Sequence, residues 1–161
     1  MDAADRSGPG RPDVDESGRS YAVLAFGPDA ERVATTWRAR LAALGRTVWS
    51  WSGERATDAA LAALAEQTRV ATVGWRLLLA GPEADVLRAR AVAITGGAVD
   101  AELTVVVTDD RRRRVWCAHC GSTTEADVRA GDDLPCADCG RTLSVHAHVS
   151  RHRAAYLGAG E

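Results

Sequence analysis

The chain's four cysteines stand in two CxxC motifs, and these motifs constrain the fold more strongly than its composition does. Each motif is followed by a glycine, and fifteen residues separate Cys120 from Cys136. A CxxC loop turns two thiolates toward one point, while the glycine lets the backbone fold beneath a metal ion. Two such loops on separate hairpins complete a tetrahedral sulfur site. The sequence therefore predicts a metal centre whose ligands are Cys117, Cys120, Cys136 and Cys139.

The spacing of the cysteines leaves two metals to compare. Zinc in a closed four-cysteine site has no open position for water, so its role is structural and it cannot activate a nucleophile. Iron in the same site is the alternative, as a rubredoxin-like one-electron carrier. The long insert between the motifs, rich in threonine and acidic residues, favours Zn²⁺. His119 lies inside the first motif, but four cysteines already fill the site, so we expect it in solvent or beside the ligands.

Residues 21–110 alternate short apolar runs with helical patterns. The runs lie at residues 21–26, 46–50, 76–80 and 103–108, and glycine-proline turns follow the first and third. Continuously apolar strands are typical of a sheet that is buried on both faces. The order βαβαβαβ therefore predicts an α/β domain, with a small parallel sheet of about four strands and helices on both faces. Residues 1–20 are predicted to be a disordered tail.

The cysteine region is predicted to be a separate β structure. Residues 111–150 read as an antiparallel zinc ribbon, and residues 151–161 as a C-terminal tail. Leu143, Val145, Ala147 and Val149 alternate with polar residues, which is typical of a half-buried antiparallel strand. A ribbon of this size buries little apolar surface, so a structural metal compensates.

Three histidines, His146, His148 and His152, follow the second motif closely. A second metal site or a cofactor contact is one interpretation, and an exposed polar strand face is the favoured one. Arg111 to Arg114, with Arg141, Arg151 and Arg153, could form a basic face, and Trp116 and Tyr156 could stack on bases, which would suit a nucleic-acid-binding ribbon. The aspartates among them and the net charge of -2 disfavour nucleic acid as a partner.

Neither catalytic nor cofactor-binding residues are predicted. The chain lacks GxGxxG and GxxxxGK[ST] loops, and its residues suggest no nucleophile with an adjacent base. The amino-terminal sequence is unlike a signal peptide, and no apolar run reaches the roughly 20 residues of a membrane span. We therefore expect a cytoplasmic protein with no membrane contact, where paired CxxC motifs favour metal over disulfides.

Four segments between about residues 115 and 158 form a recognisable combination: Val115-Trp116-Cys117-Ala118-His119-Cys120, Thr123-Thr124-Glu125, Cys136-Ala137-Asp138-Cys139-Gly140 with Leu143-Ser144-Val145-His146, and the ending His148-Val149-Ser150-Arg151-His152-Arg153-Ala154-Ala155-Tyr156-Leu157-Gly158. Together they resemble a known family, the small subunit of bacterial dimethylamine monooxygenase (DmmA-type). The α/β half resembles, more loosely, the nicotinamide-binding module of ferredoxin reductases.

This resemblance implies a subunit of a multicomponent, NAD(P)H- and O₂-dependent oxidoreductase that demethylates a secondary methylamine. Haem, flavin and iron–sulfur centres are then expected in partner subunits only, and the chain is an accessory subunit rather than an enzyme alone. Structural Zn²⁺ would fix the ribbon, which docks on the larger subunits. The expected contact residues are His146, His148, Arg151, His152, Arg153 and Tyr156. A zinc-ribbon nucleic-acid-binding protein and an iron electron carrier remain the alternatives.

Overall fold

Two β-sheets follow each other along the chain in a computed structural model that describes residues 13–160. The first half contains four strands and three helices. In chain order these are β1 Ser20–Phe26, α1 Pro28–Ala43, β2 Thr47–Gly53, α2 Asp58–Arg69, β3 Trp75–Pro82, α3 Glu83–Thr95 and β4 Leu103–Asp109, with a 3₁₀ turn at Asp100–Glu102 before β4. All of its strand pairs are parallel, in the order β2-β1-β3-β4.

Helices cover both faces of this parallel sheet, which confirms the predicted α/β architecture. On one face α1 packs Ala34, Trp37 and Leu41 against the central strands. On the other face α2 and α3 bring Leu64 and Val86 into a second apolar cluster. Strands β1 and β3 are buried between the two clusters, which explains why their sequences are continuously apolar.

Glycines mark both ends of the first helix. Gly27 adopts a φ of 89° and hands the chain to Pro28, whose fixed φ suits the first helical turn. Asp29 and Glu31 in that turn face the positive end of the helix dipole. Gly45, at a φ of 65°, ends the helix in the left-handed conformation that glycine adopts without strain. The carboxyl end of β1 is thereby followed by a tight turn at the edge of the sheet.

The predicted amino-terminal tail lies partly outside the described residues, which exclude residues 1–12. Residues 13–19 are described, and they contact the amino edge of the parallel sheet. The Arg76 Nε donates to the Asp15 carboxylate at 2.7 Å, and the Tyr21 hydroxyl donates to the Asp15 carbonyl at 2.7 Å. These contacts place the described part of the segment against the sheet, and the domain boundary at residue 21 stays a prediction.

The second half is a five-stranded sheet that holds both cysteine motifs. Its strands are β5 Arg112–Cys117, β6 Thr123–Asp127, β7 Asp133–Pro135, β8 Thr142–Ser150 and β9 Ala155–Ala159, in the spatial order β6-β5-β9-β8-β7. The β5–β6 hairpin carries the first motif, and the β7–β8 hairpin carries the second. The sheet is mixed rather than purely antiparallel, because β9 pairs parallel with β5 and antiparallel with β8.

Strand β9 is the central strand of this sheet, although its residues belong to the predicted tail. It lies between the two hairpins and joins them. Gly158 permits this arrangement, since a Cβ there would stand 2.7 Å from Val115 Cγ1 and 3.0 Å from Leu143 Cδ1. The strand consists of small residues around one tyrosine and one leucine, so its sequence carries no clear alternation.

The alternation predicted along β8 holds only for the first half of the strand. Leu143 and Val145 are buried as expected. The pairing then shifts, because residues 146–148 lie between the Val145–Gly158 and Val149–Tyr156 pairs, where β9 has Leu157 alone. This bulge leaves Ala147 exposed together with the two histidines beside it, so the prediction that Ala147 faces the core was wrong.

Replacing Gly158 with alanine tests the close packing across β9. We expect Gly158→Ala to reduce the free energy of unfolding of the C-terminal sheet by about 1–3 kcal/mol, because the new methyl group overpacks two buried side chains. Chemical denaturation followed by circular dichroism measures the change. Gly53→Ala is the matched control, since the nearest atom to a Cβ at that position is 3.7 Å away. Equal stability of the two variants would contradict the packing described.

Candidate metal centre

The four cysteine sulfurs converge on one point between the two hairpins. All four Sγ atoms lie within 4.8 Å of one another. The Cys117 and Cys139 sulfurs are 3.8 Å apart, and those of Cys120 and Cys136 are 3.6 Å apart. A tetrahedron with metal–sulfur bonds of about 2.3 Å has edges of about 3.8 Å. The spacing therefore fits a tetrahedral metal ion without movement of the backbone.

The backbone of the two motifs repeats the same local geometry. In each motif the glycine amide donates to the carbonyl of the first cysteine, at 2.9 and 3.0 Å. In each, the amide of the first cysteine donates to the carbonyl of the residue after the glycine, at 2.8 Å. The glycines Gly121 and Gly140 have φ values of 79° and 71°, a conformation that a larger residue adopts with strain. The sequence CxxCG is thus sufficient to explain each loop.

Hydrogen bonds shift the protonation of the thiols. The backbone of Cys139 and then the Ser122 hydroxyl lower the pKa of Cys136 to about 6. The amide of Arg141 lowers the pKa of Cys139, but desolvation and the other three sulfurs outweigh it and raise that pKa to about 11. Four sulfurs this close compete for protons, and a divalent cation removes the competition by taking all of them as thiolates.

The site is the sole group in residues 13–160 in which three or more His, Cys, Asp or Glu side chains have metal-binding spacing. The three nearby histidines therefore do not form a second centre within the described chain. His146 and His148 are exposed on the β8 bulge, and His152 is exposed in the turn that follows. His119 is exposed within the first motif, in line with the expectation that it lies in solvent or beside the ligands.

The remaining predicted contact residues separate into different environments. Tyr156 is only 7% exposed, and its hydroxyl donates to the Glu83 carboxylate at 2.6 Å. Arg151 reaches the first domain, where it bonds Asp100 at 2.8 Å. Arg153 is exposed, and its guanidinium stacks on the Trp116 ring of the C-terminal sheet. The structure therefore places Tyr156 at the junction of the two halves, and the predicted set does not share one surface.

Glu83 and Arg113 complete this junction, and sequence reasoning did not identify either of them as such. The Arg113 guanidinium lies 4.7 Å from the centre of the Tyr156 ring, and its Nε is 3.4 Å from the Glu83 carboxylate. The signal was present in β5, where Arg113 alternates in phase with the buried residues Val115 and Cys117. An arginine in phase with buried positions requires a buried acidic partner.

The arginine run at residues 111–114 is paired within the chain. Arg111 bonds Asp109 at 2.7 Å, Arg112 and Arg114 bond Glu125 at 3.3 and 3.2 Å, and Arg113 pairs with Glu83. Glu125 also accepts Arg55, from the loop after β2, at 3.1 Å. Arg113 and Arg55 thus join the two halves of the chain, whereas Arg112 and Arg114 pair within the C-terminal sheet. Because each arginine of the run has an acidic partner, the run presents little positive charge to phosphate, which counts against the nucleic-acid alternative.

The junction occupies the carboxyl edge of the parallel sheet. In open α/β sheets ligands bind at this edge, where the strand order reverses, here between β1 and β3. Glu83 begins the helix that follows β3, and the C-terminal sheet lies against it. A cavity of about 450 Å³ beside the start of α1 is lined in part by Glu31 and Glu54, whose charges oppose phosphate.

The Tyr156 hydroxyl supplies a test of the junction. We expect Tyr156→Phe to lower the free energy of unfolding by about 1.5–3 kcal/mol, because it removes a buried hydrogen bond to a charged group. Tyr21→Phe is the control, since the Tyr21 hydroxyl donates to a neutral carbonyl and its loss costs about 0.5–1.5 kcal/mol. Thermal and chemical denaturation at neutral pH measure both.

The same contact sets the alkaline behaviour of the protein. Burial and the Glu83 hydrogen bond raise the pKa of Tyr156 to about 12. The contribution of Tyr156 to stability is therefore complete below the unfolded-state pKa of about 10 and declines as the pH rises toward 12. Wild type should lose this increment in an alkaline titration and Tyr156→Phe should not. Parallel curves for the two proteins would contradict the assignment.

Within residues 13–160, no helix is both long and apolar enough to cross a bilayer.

Comparison with known proteins gives a family match and a similar curated protein, but no similar solved structure. Residues 114–159 match the family described as dimethylamine monooxygenase subunit DmmA-like, C-terminal domain. Over 88 residues the chain is 39% identical to the heme-dependent oxidative N-demethylase delta subunit of Ectopseudomonas mendocina (strain ymp). The aligned residues make up 55% of this chain and 49% of that protein. No solved structure matches the chain.

The chain spans about half the length of the curated relative that it matches. The matched family covers the whole five-stranded sheet except its first residues, including all four cysteines. The resemblance predicted from about residues 115–158 is confirmed: the C-terminal sheet matches the DmmA-like C-terminal domain, and the chain is similar to an oxidative N-demethylase delta subunit.

Proposed function

We propose that this chain is a non-catalytic, zinc-binding subunit of a multicomponent oxidative N-demethylase. The observation that carries the proposal is the four-cysteine sheet, which matches the DmmA-like domain and brings its sulfurs to metal-binding spacing. In such a complex, reduced nicotinamide cofactor and dioxygen would demethylate a secondary methylamine. Haem, flavin and iron–sulfur chemistry would belong to the other subunits, and the complex would be cytoplasmic.

The chemistry of the donor set favours structural Zn²⁺. Four thiolates occupy every position of a tetrahedral site, so neither substrate nor water has a coordination position. A bound zinc ion supplies a cross-link between the two hairpins. Cys117 and Cys136 are buried in the core of the C-terminal sheet and are positioned at the ends of β5 and β7, where the two hairpins meet.

The role of the chain in the complex would be to present a fixed surface. The C-terminal sheet is held on the α/β domain by Tyr156, Arg113 and Arg151, which contact Glu83 and Asp100. This anchoring supports the proposal that the two halves of the chain dock on partner subunits as one unit, in which the zinc site sets the shape of the C-terminal sheet. Of the residues predicted to contact partners, His146, His148, Arg151, His152 and Arg153 are exposed and remain the proposed contact set, whereas Tyr156 is buried at the junction of the two halves.

Replacing a buried ligand tests the metal and its role. We expect Cys136→Ser to lose the metal and unfold the C-terminal sheet, because a structural zinc site contributes its binding free energy to folding. The α/β half, which has two apolar clusters of its own, should keep its helical circular dichroism signal. Metal analysis and NMR spectra measure the two effects, with Ala137→Ser in the same loop as the control.

The colour of the purified protein identifies the metal. Zinc gives a colourless protein, whereas iron in four thiolates gives visible charge-transfer bands that bleach on reduction. A C-terminal sheet that stays folded after metal removal would contradict the structural role. A red protein with one equivalent of iron would favour the electron-carrier alternative.

Co-expression tests the subunit assignment. The chain, tagged at its amino terminus, is expressed together with the products of its neighbouring genes and purified through the tag. We expect the haem- and flavin-containing subunits to co-purify in fixed ratio and to demethylate dimethylamine with reduced nicotinamide cofactor. Recovery of the chain without any haem- or flavin-containing partner would remove the main support for the proposal.

A further inference from the structure

The outer face of the C-terminal sheet, opposite its buried cluster, carries an apolar pair that the chain covers only in part. In β5, Trp116 lies between the buried residues Val115 and Cys117, so its side chain points to the opposite face. Leu157 lies between two buried residues of β9 in the same way. Trp116 and Leu157 are direct partners in the parallel β5–β9 pair, and both are partly exposed. The pair therefore forms a partly exposed apolar surface on the outer face, which is called the Trp116–Leu157 step.

Arg153 lies over this apolar step. Its guanidinium carbon is 3.9 Å from the centre of the Trp116 ring, within the range of a cation–π contact. The Trp116 Nε1 donates to the Gly121 carbonyl at 3.0 Å, which fixes the ring beside the first cysteine motif. Within the described residues, Arg153 makes no ion pair with an acidic side chain. An ordered tryptophan with an unneutralised arginine above it has the composition of an interface anchor.

The charge of the surrounding segment is uniformly positive. Residues 141–160 contain three arginines and three histidines but no aspartate or glutamate. Arg151 pairs with Asp100 of the first domain. Arg141 and Arg153 have no acidic partner among residues 13–160, in contrast to the four arginines at 111–114, each of which has one. The residue before β8 and the turn between β8 and β9 thus carry positive charge that no acidic side chain of residues 13–160 neutralises.

A groove continues this face toward the second cysteine motif. It has a volume of about 600 Å³ and is lined by Asp133, Arg141, Thr142, Ser144, Ala159 and Gly160. Ser144 is paired with Ala159, which lies two residues after Leu157 in β9 and therefore on the same face. Asp133 is the one carboxylate that lines the groove. The face therefore runs from Arg153 across Trp116 and Leu157 to Arg141.

We propose that this outer face is the docking surface for an acidic segment of another polypeptide subunit. The segment's carboxylates pair with Arg153 and Arg141, and an apolar side chain packs on the Trp116–Leu157 step. The occupant is a polypeptide rather than a nucleic acid, because the arginine run that would extend the basic face is paired within the chain. This inference rests on the proposed function and names the surface and the chemistry of its partner.

Charge reversal at the two unpaired arginines tests the surface. Arg153→Glu and Arg141→Glu are compared with Arg32→Glu, a control on α1 whose side chain is 80% exposed. Zinc content and thermal unfolding establish that each variant is folded. We expect Arg153→Glu and Arg141→Glu to weaken binding of the co-expressed subunits by about tenfold or more, and Arg32→Glu to change it by less than about twofold.

A titration of the purified full chain tests the surface without the complex. The probes are a synthetic peptide of glutamates around one leucine, the same peptide with lysines, and single-stranded oligothymidine. We expect NMR shift changes from the acidic peptide alone, centred on the Trp116 indole, Leu157 and residues 141–160. Equal or stronger saturation by oligothymidine at those positions would overturn the choice of a polypeptide partner.

The two experiments separate failure of the surface from failure of the subunit assignment. If the subunits co-purify with Arg153→Glu and Arg141→Glu as well as with wild type, the docking surface is wrong while the proposed function stands. If no subunit co-purifies with wild type, the proposed function fails, and the peptide titration alone decides on the surface. Acidic-peptide shifts that spread over the α/β domain, or none at all, would overturn the docking surface.

Discussion

The convergence of four cysteine sulfurs is the constraint on which the C-terminal half of the molecule depends. The buried cluster of that sheet contains eight residues, and two of them are the predicted metal ligands Cys117 and Cys136. So small a core provides little hydrophobic free energy compared with the entropy lost on folding. A cross-link between the two hairpins fixes strands that are far apart in sequence, and β9 then fills the gap between them. The outer face with its tryptophan, arginine and histidine bulge exists only because this arrangement holds.

The α/β domain provides the support on which that small sheet lies. The edge of a parallel sheet that elsewhere receives a ligand here carries Glu83, and the chain's own tyrosine and arginine occupy it. A carboxylate at the start of a helix is stabilised by the helix dipole. The contact is therefore suited to holding two domains in a fixed orientation. An open parallel α/β sheet can serve as a scaffold in this way, because fold alone does not determine function.

Most of the architecture is predictable from local sequence, whereas the connections between the halves are not. Apolar runs separated by helical patterns are sufficient for the parallel sheet, and CxxCG spacing is sufficient for the metal loops. Strand β9 was not predicted from the sequence, because Ala155, Gly158 and Ala159 give no clear alternation. Its position depends on packing against two hairpins that are distant in sequence. The β8 bulge was not predicted because the sequence of β8 alternates regularly between apolar and polar residues. The register of the strand is set by its pairing with β9 and not by that alternation. The Glu83–Tyr156 bond joins residues that are 73 positions apart, and no local pattern encodes such a contact.

The central position of β9 has a consequence for how the molecule is made. The chain is synthesised from its amino terminus, so the parallel sheet can form while the second half is still being added. The two cysteine hairpins emerge next, but their sheet lacks its middle strand until residues 155–159 leave the ribosome. Parallel pairing of β5 with β9 closes a long loop, which makes it a late event in folding. Until that pairing forms, the hairpins that carry the two cysteine motifs lack the strand that joins them, so a metal ion taken up at that stage would have to hold together two hairpins that are not yet part of one sheet.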